Sequence, residues 1–250
     1  MRQIVVYLIL FISSNSLFSQ QPNRNQTPTK IIDKEFSESV SDIVGNSYRT
    51  IKIGTQVWMT ENLKTTKYNN GIEIPNITTD SLWVNLNSGA FCWYNNDLSF
   101  KNKYGALYNW FAVNTGNLCP VGWHVPTDEE WKILEGSVDS QFSVGDTIWN
   151  RNWNRGFDVG RRLMATSGWD SDGNGTNDFN FSALPGGERL KRNGRFFISD
   201  TNGFWWSSTE YDESSAMYRS LLYSVEYMFR FYHPKGFGFS VRCIKDNSDA

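Results

Sequence analysis

Residues 119–131 read CPVGWHVPTDEEW, and this stretch decides how the rest of the chain is read. Thr127 stands where its hydroxyl can cap a helix. Glu130, three residues on, can reach back to the Thr127 N–H, which is the reciprocal capping-box pattern. Asp128, Glu129 and Glu130 place negative charge at the positive end of the helix dipole. The spacing predicts a helix that buries Trp131 and Leu134 and stops at Gly136. The same three acids could be taken for a catalytic carboxylate cluster, but capping explains their spacing without any chemistry.

Working outward, the chain alternates from Tyr48. Ile51 and Ile53 share one face, Thr50 and Lys52 the other, and Gly54-Thr55 reads as a turn. Gln56 to Leu63 reads as a second strand. Tyr104 to Val113 (YGALYNWFAV) has Leu107, Trp110 and Phe111 at helical spacing and predicts a short buried helix. Phe157 to Met164 predicts another. A long polar loop covers 166–180. Beyond it, Ala216 to Tyr223 and Glu226 to Tyr232 read as strands and 233–236 as a turn. Phe237 to Ile244 reads as a returning strand with Phe239, Val241 and Cys243 on one face. No repeat of solenoid period is visible. Strands early, helices in the middle and strands late predict an α+β domain.

The first twenty residues predict a secretory signal peptide. Arg2 supplies the positive start, IVVYLILFI (4–12) the apolar run, and small and polar residues follow up to a cleavage point near Ser19 or Gln20. The run is too short to cross a bilayer, which takes about 20 residues. No Cys lies near the cleavage point, so a lipid-anchored N-terminus is not expected. Residues 21–39 read as a flexible linker, 40–246 as the domain and 247–250 as a tail. The expected location is secreted, extracellular or periplasmic, with no transmembrane segment.

The whole chain has 250 residues and a formal net charge of −2. That charge argues against nucleic acid, which needs a concentrated Lys/Arg surface. Eleven Trp, 11 Tyr and 17 Phe exclude a disordered chain. Two His and 3 Cys leave little for a tetrahedral metal site.

Six segments together resemble the Fibrobacter succinogenes major paralogous domain, a family of secreted bacterial proteins mostly of unknown function. They are residues 42–71 (with GNSYRTIKIGTQVWMTENLKTTKYNNG), YGALYNW (104–110), CPVGWHVPTDEEW (119–131), FSALPGG (181–187), FWWSSTE (204–210) and GFSVRC (238–243). They fall in the family's order over about four fifths of the chain. That family is in turn similar to the C-type-lectin-like fold of formylglycine-generating, sulfatase-modifying enzymes. The marks they share here are Val125 to Trp131 and Gly238 to Cys243. The resemblance implies short helices, a small twisted antiparallel sheet, long loops, and N- and C-terminal strands that come together.

The enzymes of that fold use a copper-loaded Cys pair. Cys92, Cys119 and Cys243 lie far apart in three different contexts, which disfavours a formylglycine-type oxidoreductase. A structural disulfide is the expected use of two of them: Cys119 with Cys243, or alternatively Cys92 with Cys243. Asp170, Asp172 and Asn174, with Gly175 and then Asp178, match the first half of an EF-hand loop and form a candidate Ca²⁺ site. Phe181 stands where the closing Glu should be, so a full EF-hand is rejected. A polar turn explains the same residues without a metal. His124 and His233 sit beside Pro in turn-like contexts, and no nucleophile elbow surrounds a Ser. Trp169, Trp205, Trp206 and Glu210 are the candidate ligand-binding residues, since aromatics beside Asn, Asp and Glu suit stacking on a sugar. The reading is a secreted, non-catalytic module that binds a carbohydrate or a protein partner. A formylglycine-type enzyme and a structural surface protein are the alternatives.

Overall fold

Two antiparallel sheets frame the helix that the 119–131 stretch begins. The computed structural model describes residues 36–197 and 199–247, all within one unit spanning 33–250. The expected signal peptide (1–20) lies outside the described residues, as does the tail from 248 on. Of the expected linker (21–39), residues 21–35 lie outside the described residues, and residues 36–39 belong to the first strand, Phe36–Ser41.

In chain order, β1 (Phe36–Ser41), β2 (Ser47–Ile53) and β3 (Gln56–Met59) form a meander. Helix α1 (Asp80–Val84) follows a long irregular stretch. Next come β4 (Phe91–Cys92), α2 (Lys101–Tyr104), β5 (Leu107–Tyr108), α3 (Trp110–Val113) and β6 (Trp123–His124). Then follow α4 (Asp128–Val138), β7 (Trp153–Arg155), α5 (Val159–Leu163), β8 (Glu188–Arg189) and β9 (Phe196–Phe197). Strands β10 (Asn202–Glu210), β11 (Ser215–Leu222), β12 (Met228–Pro234) and β13 (Ile244–Lys245) complete the described chain. The first sheet runs β1-β2-β3-β13-β6 and the second β10-β11-β12-β7. Ile244 pairs with both Trp58 and His124, so the last strand closes between the early and middle ones. The fold is mixed α+β.

Helix α4 carries the capping box as the sequence predicts. Thr127 Oγ1 accepts from Glu130 N–H at 3.2 Å, and Glu130 Oε2 accepts from Thr127 N–H at 2.8 Å. The helix does not stop at Gly136 but continues to Val138. Gly136 is there for packing: a Cβ would meet the Val144 backbone at 2.6 Å. The neighbouring acids face other ways. Asp128 points inward to Arg219 (2.8 Å) and Arg230 (2.7 Å) on the second sheet. Glu135 bridges Arg155 and Arg219, each at 2.5 Å, with all three side chains fully buried. Burial alone would raise the Asp128 carboxyl; hydrogen bonds from Arg230 and the charge of Arg219 outweigh it and hold the group well below the usual carboxylate range.

The expected helix over 104–113 is instead α2, β5 and α3. Gly105, at φ +74°, breaks it, and a Cβ there would meet Leu63 O at 2.7 Å. Asn109 then caps α3 through Ala112 N–H. The expected strand 237–244 is a ladder only at its end. Gly238, Phe239 and Ser240 bridge singly to Arg189, Tyr108 and Trp205 as the segment threads between sheets. Phe239, Val241 and Cys243 are buried as expected, and so are Ser240 and Arg242 on the other side.

Candidate aromatic binding site

Strand β12 reads Met-Phe-Arg-Phe-Tyr-His-Pro, and the short edge strand β7 pairs Trp153 with Arg230. These two strands and the turn after β10 stack four rings in a column. Trp153 lies 4.1 Å from Phe231 at 28°, Phe231 lies 4.4 Å from Tyr232 at 21°, and Tyr232 lies 3.8 Å from Tyr211 at 4°. Phe231 also packs against the main hydrophobic core, which ties the column to the fold. Its two end rings reach solvent, with Trp153 58% and Tyr211 51% exposed.

The Trp153 backbone is held at φ +67°, a left-handed conformation that is an outlier for a bulky side chain. Such strain persists only where surrounding structure enforces it, and it concentrates at functional positions. Polar groups flank the column. Asn152 accepts from Arg230 at 2.6 Å, and Lys235 pairs with Glu210 and donates to Glu213 O at 2.7 Å. Asp212 caps the turn beside Tyr211 by accepting from Ser214 N–H at 2.8 Å. The Tyr211 phenol beside it pushes the Tyr232 phenol above its usual range.

The tryptophans singled out in the sequence lie elsewhere, and their expected role as stacking faces is corrected by their burial. Trp169 is 5% exposed and donates its indole N–H to Ala183 O at 3.0 Å. Trp205 donates to Asn62 Oδ1 at 2.9 Å and Trp206 to Tyr108 O at 2.9 Å, both fully buried. Adjacent residues on a strand face opposite ways, and here both faces of β10 are covered. Glu210 alone of that set lies at the surface, beside Tyr211. The column itself was missed. Its sequence signal was Trp153 within the polar run RNWNRG, together with the aromatic alternation of β12.

In the 170–178 loop the candidate oxygens are already engaged. Asn174 Oδ1 accepts from Trp169 N–H at 3.1 Å, Asp178 pairs with Arg162 at 2.9 Å, and Asp170 Oδ1 accepts from Ser171 N–H at 2.8 Å. Asp172 opens onto a surface cleft of about 420 Å³ with Arg161 and Tyr223. Among the described residues no three His, Cys, Asp or Glu side chains gather to hold a metal ion. Cys119 and Cys243 form a disulfide with Cα atoms 6.0 Å apart. Cys92 is a free, buried thiol, and burial pushes it up to about 12. His124 bridges Glu130 (2.9 Å) and Asp246 (2.6 Å), and the Glu130 hydrogen bond leads in raising it to about 9. His233 stacks between Tyr218 and Phe237, and burial lowers it to about 4.

The family model described as the Fibrobacter succinogenes major domain matches residues 51–245. The chain belongs to that family. The match takes in every strand of the second sheet, the disulfide and all four rings of the column. No curated protein and no solved structure matches the chain. Among the described residues of this Fibrobacter succinogenes major domain, no helix is long and apolar enough to cross a membrane.

Proposed function

We propose that this Fibrobacter succinogenes major domain is a secreted, non-catalytic binding module that stacks a carbohydrate against the end rings of the Trp153–Phe231–Tyr232–Tyr211 column. The observation that carries the reading is an exposed Trp held in a strained backbone at the end of an ordered ring stack. Sugar rings offer C–H faces to aromatic surfaces and hydroxyls to polar side chains. Asn152, Glu210 and Asp212 stand beside the end rings in sequence to receive them. A disulfide suits an exported protein, in keeping with the signal-like N-terminus. Thiol oxidation chemistry finds no support, since two cysteines are joined and the third is buried. The C-type-lectin-like fold remains part of this proposal, resting on Val125 to Trp131 and Gly238 to Cys243.

The test is a glycan array with the purified protein, its Trp153→Ala variant and its Tyr211→Ala variant, each with and without Ca²⁺. At least one glycan class should bind, and removal of either end ring should weaken it about tenfold, the loss of roughly 1–2 kcal/mol of stacking. Binding that depends on Ca²⁺ would draw the 170–178 loop into the site. An array with no signal, or one on which both variants bind as the parent does, would overturn the proposal.

A further inference from the structure

Five stretches of the chain meet at a second cleft of about 290 Å³. Its walls come from Arg49 near the start of β2, the chain after β3, the turn around α2, Ser182 and Leu184, and Arg242. Arg49, Lys64, Lys103 and Arg242 line it with one carboxylate, Glu61, among the lining residues, and Asp200, off the lining, pairs with Lys103 at 3.5 Å. The chain as a whole is slightly acidic, so this concentration of cations is local.

Arg242 sets the cleft apart. Four arginine side chains are fully buried: Arg155, Arg189, Arg219 and Arg242. Three of them meet a carboxylate. Arg155 and Arg219 pair with Glu135, and Arg189 pairs with Asp80 at 3.1 Å. Among the described residues Arg242 has no carboxylate at ion-pair distance, although it is 1% exposed. It donates to the carbonyls of Phe181 and Ser182 and to Asn62 Oδ1 at 3.0 Å, and its Nε has no hydrogen-bond partner among the described residues. Its guanidinium lies 4.2 Å from the Phe181 ring centroid. Glu61, the nearest acid on the lining, is engaged by Arg49 at 3.0 Å. A buried cation without a counter-charge is costly, and burial lowers Arg242 to about 9.

We infer that this cleft binds an oxyanion (a carboxylate, sulfate or phosphate group), with Arg242 as its buried charge and Lys64 and Lys103 at its mouth. A planar guanidinium fixed by neutral acceptors is pre-organised for such a group. Asn62 holds the geometry. Its amide donates to Tyr104 O at 2.8 Å and to Ser240 Oγ at 3.2 Å, while its oxygen takes both Arg242 and Trp205. The close approach at Gly105 sets the α2 turn, and with it Lys103, against Asn62. The inference is independent of the aromatic column.

Titration of the purified protein with sodium sulfate, sodium phosphate and sodium glucuronate, each against sodium chloride at equal ionic strength, tests it. Thermal midpoint and calorimetry are the readouts. At least one oxyanion should raise the midpoint saturably in the low-millimolar range. The double variant Lys64→Gln/Lys103→Gln should weaken that binding about tenfold. Both lysines lie outside the core, so the variant's own midpoint in chloride should stay near the parent's, and Lys103→Gln alone serves as the second variant. Tighter binding of glucuronate would identify an acidic sugar as the source, and tighter binding of sulfate or phosphate an inorganic or ester group. Oxyanions that act no differently from chloride, or equally on parent and variants, would overturn the inference.

Discussion

Glu188 is only 7% exposed, and among the described residues its Oε2 accepts no hydrogen bond. Burial pushes its carboxyl up to about 7, with Arg192 partly opposing. A carboxyl whose folded pKa is raised favours the protonated native state. Its stabilising contribution is therefore complete below the unfolded value of about 4.5 and is lost as pH rises toward 7. Over that window wild-type stability should fall by on the order of 3 kcal/mol on account of this group. Glu188→Gln should flatten the decline between pH 4.5 and 7, measured by urea unfolding at stepped pH. An unchanged slope would show that Glu188 is solvated in the native state. His124, raised to about 9, acts in a separate window: its contribution is complete below about 6.5 and fades toward pH 9. At this scale the sequence was legible wherever partners are close along the chain. It misled at Trp169, because polar neighbours in sequence do not reveal that the ring is buried with its indole N–H donated to Ala183 O.

Helix α4 shows the same division within one element. The capping box was readable because it needs only residues three apart. The role of Asp128 was not, since Arg219 and Arg230 lie 91 and 102 residues away. What looked like one acidic cluster is three separate devices. Glu130 caps the helix, Glu129 meets Lys132 at the surface, and Asp128 anchors the helix to the second sheet. Removing one partner from a buried ion pair leaves the other charge uncompensated, which costs about 3–5 kcal/mol. Asp128→Asn should therefore destabilise the protein by roughly 3 kcal/mol, whereas Glu129→Gln should change stability by less than about 0.5 kcal/mol. Chemical denaturation of the two variants side by side checks this. Equal effects would mean that the helix end acts through its dipole alone. Gly136 was misread as a stop for a similar reason, because its constraint is Val144 across the interface rather than a turn along the helix.

For the whole molecule, the α+β class followed from element order, but the sheet order β1-β2-β3-β13-β6 did not. Closure places residues 240 positions into the chain beside its first strands, through bonds such as Leu63 N–H to Val241 O (2.8 Å) and Met59 N–H to Cys243 O (3.1 Å). The Cys119–Cys243 disulfide fastens that closure across a sequence separation of 124. A crosslink over so long a loop removes much of the freedom of the unfolded chain, about 5 kcal/mol by loop entropy alone. The tethered strand is also held by packing of Phe239, Val241 and Ile244 and by its ladder bonds, so the native state should survive without the crosslink. Cys119→Ser/Cys243→Ser should fold at low temperature with a thermal midpoint roughly 10 °C lower, and reduction of the parent should give the same shift. Cys92→Ala should leave that shift intact, because Cys92 packs in the separate cluster of Trp83, Ala90, Tyr94 and Leu107. A double Ser variant that melts with the parent would mean that the closure is held by packing alone. One that never folds would mean that the disulfide must form before β13 can enter the sheet.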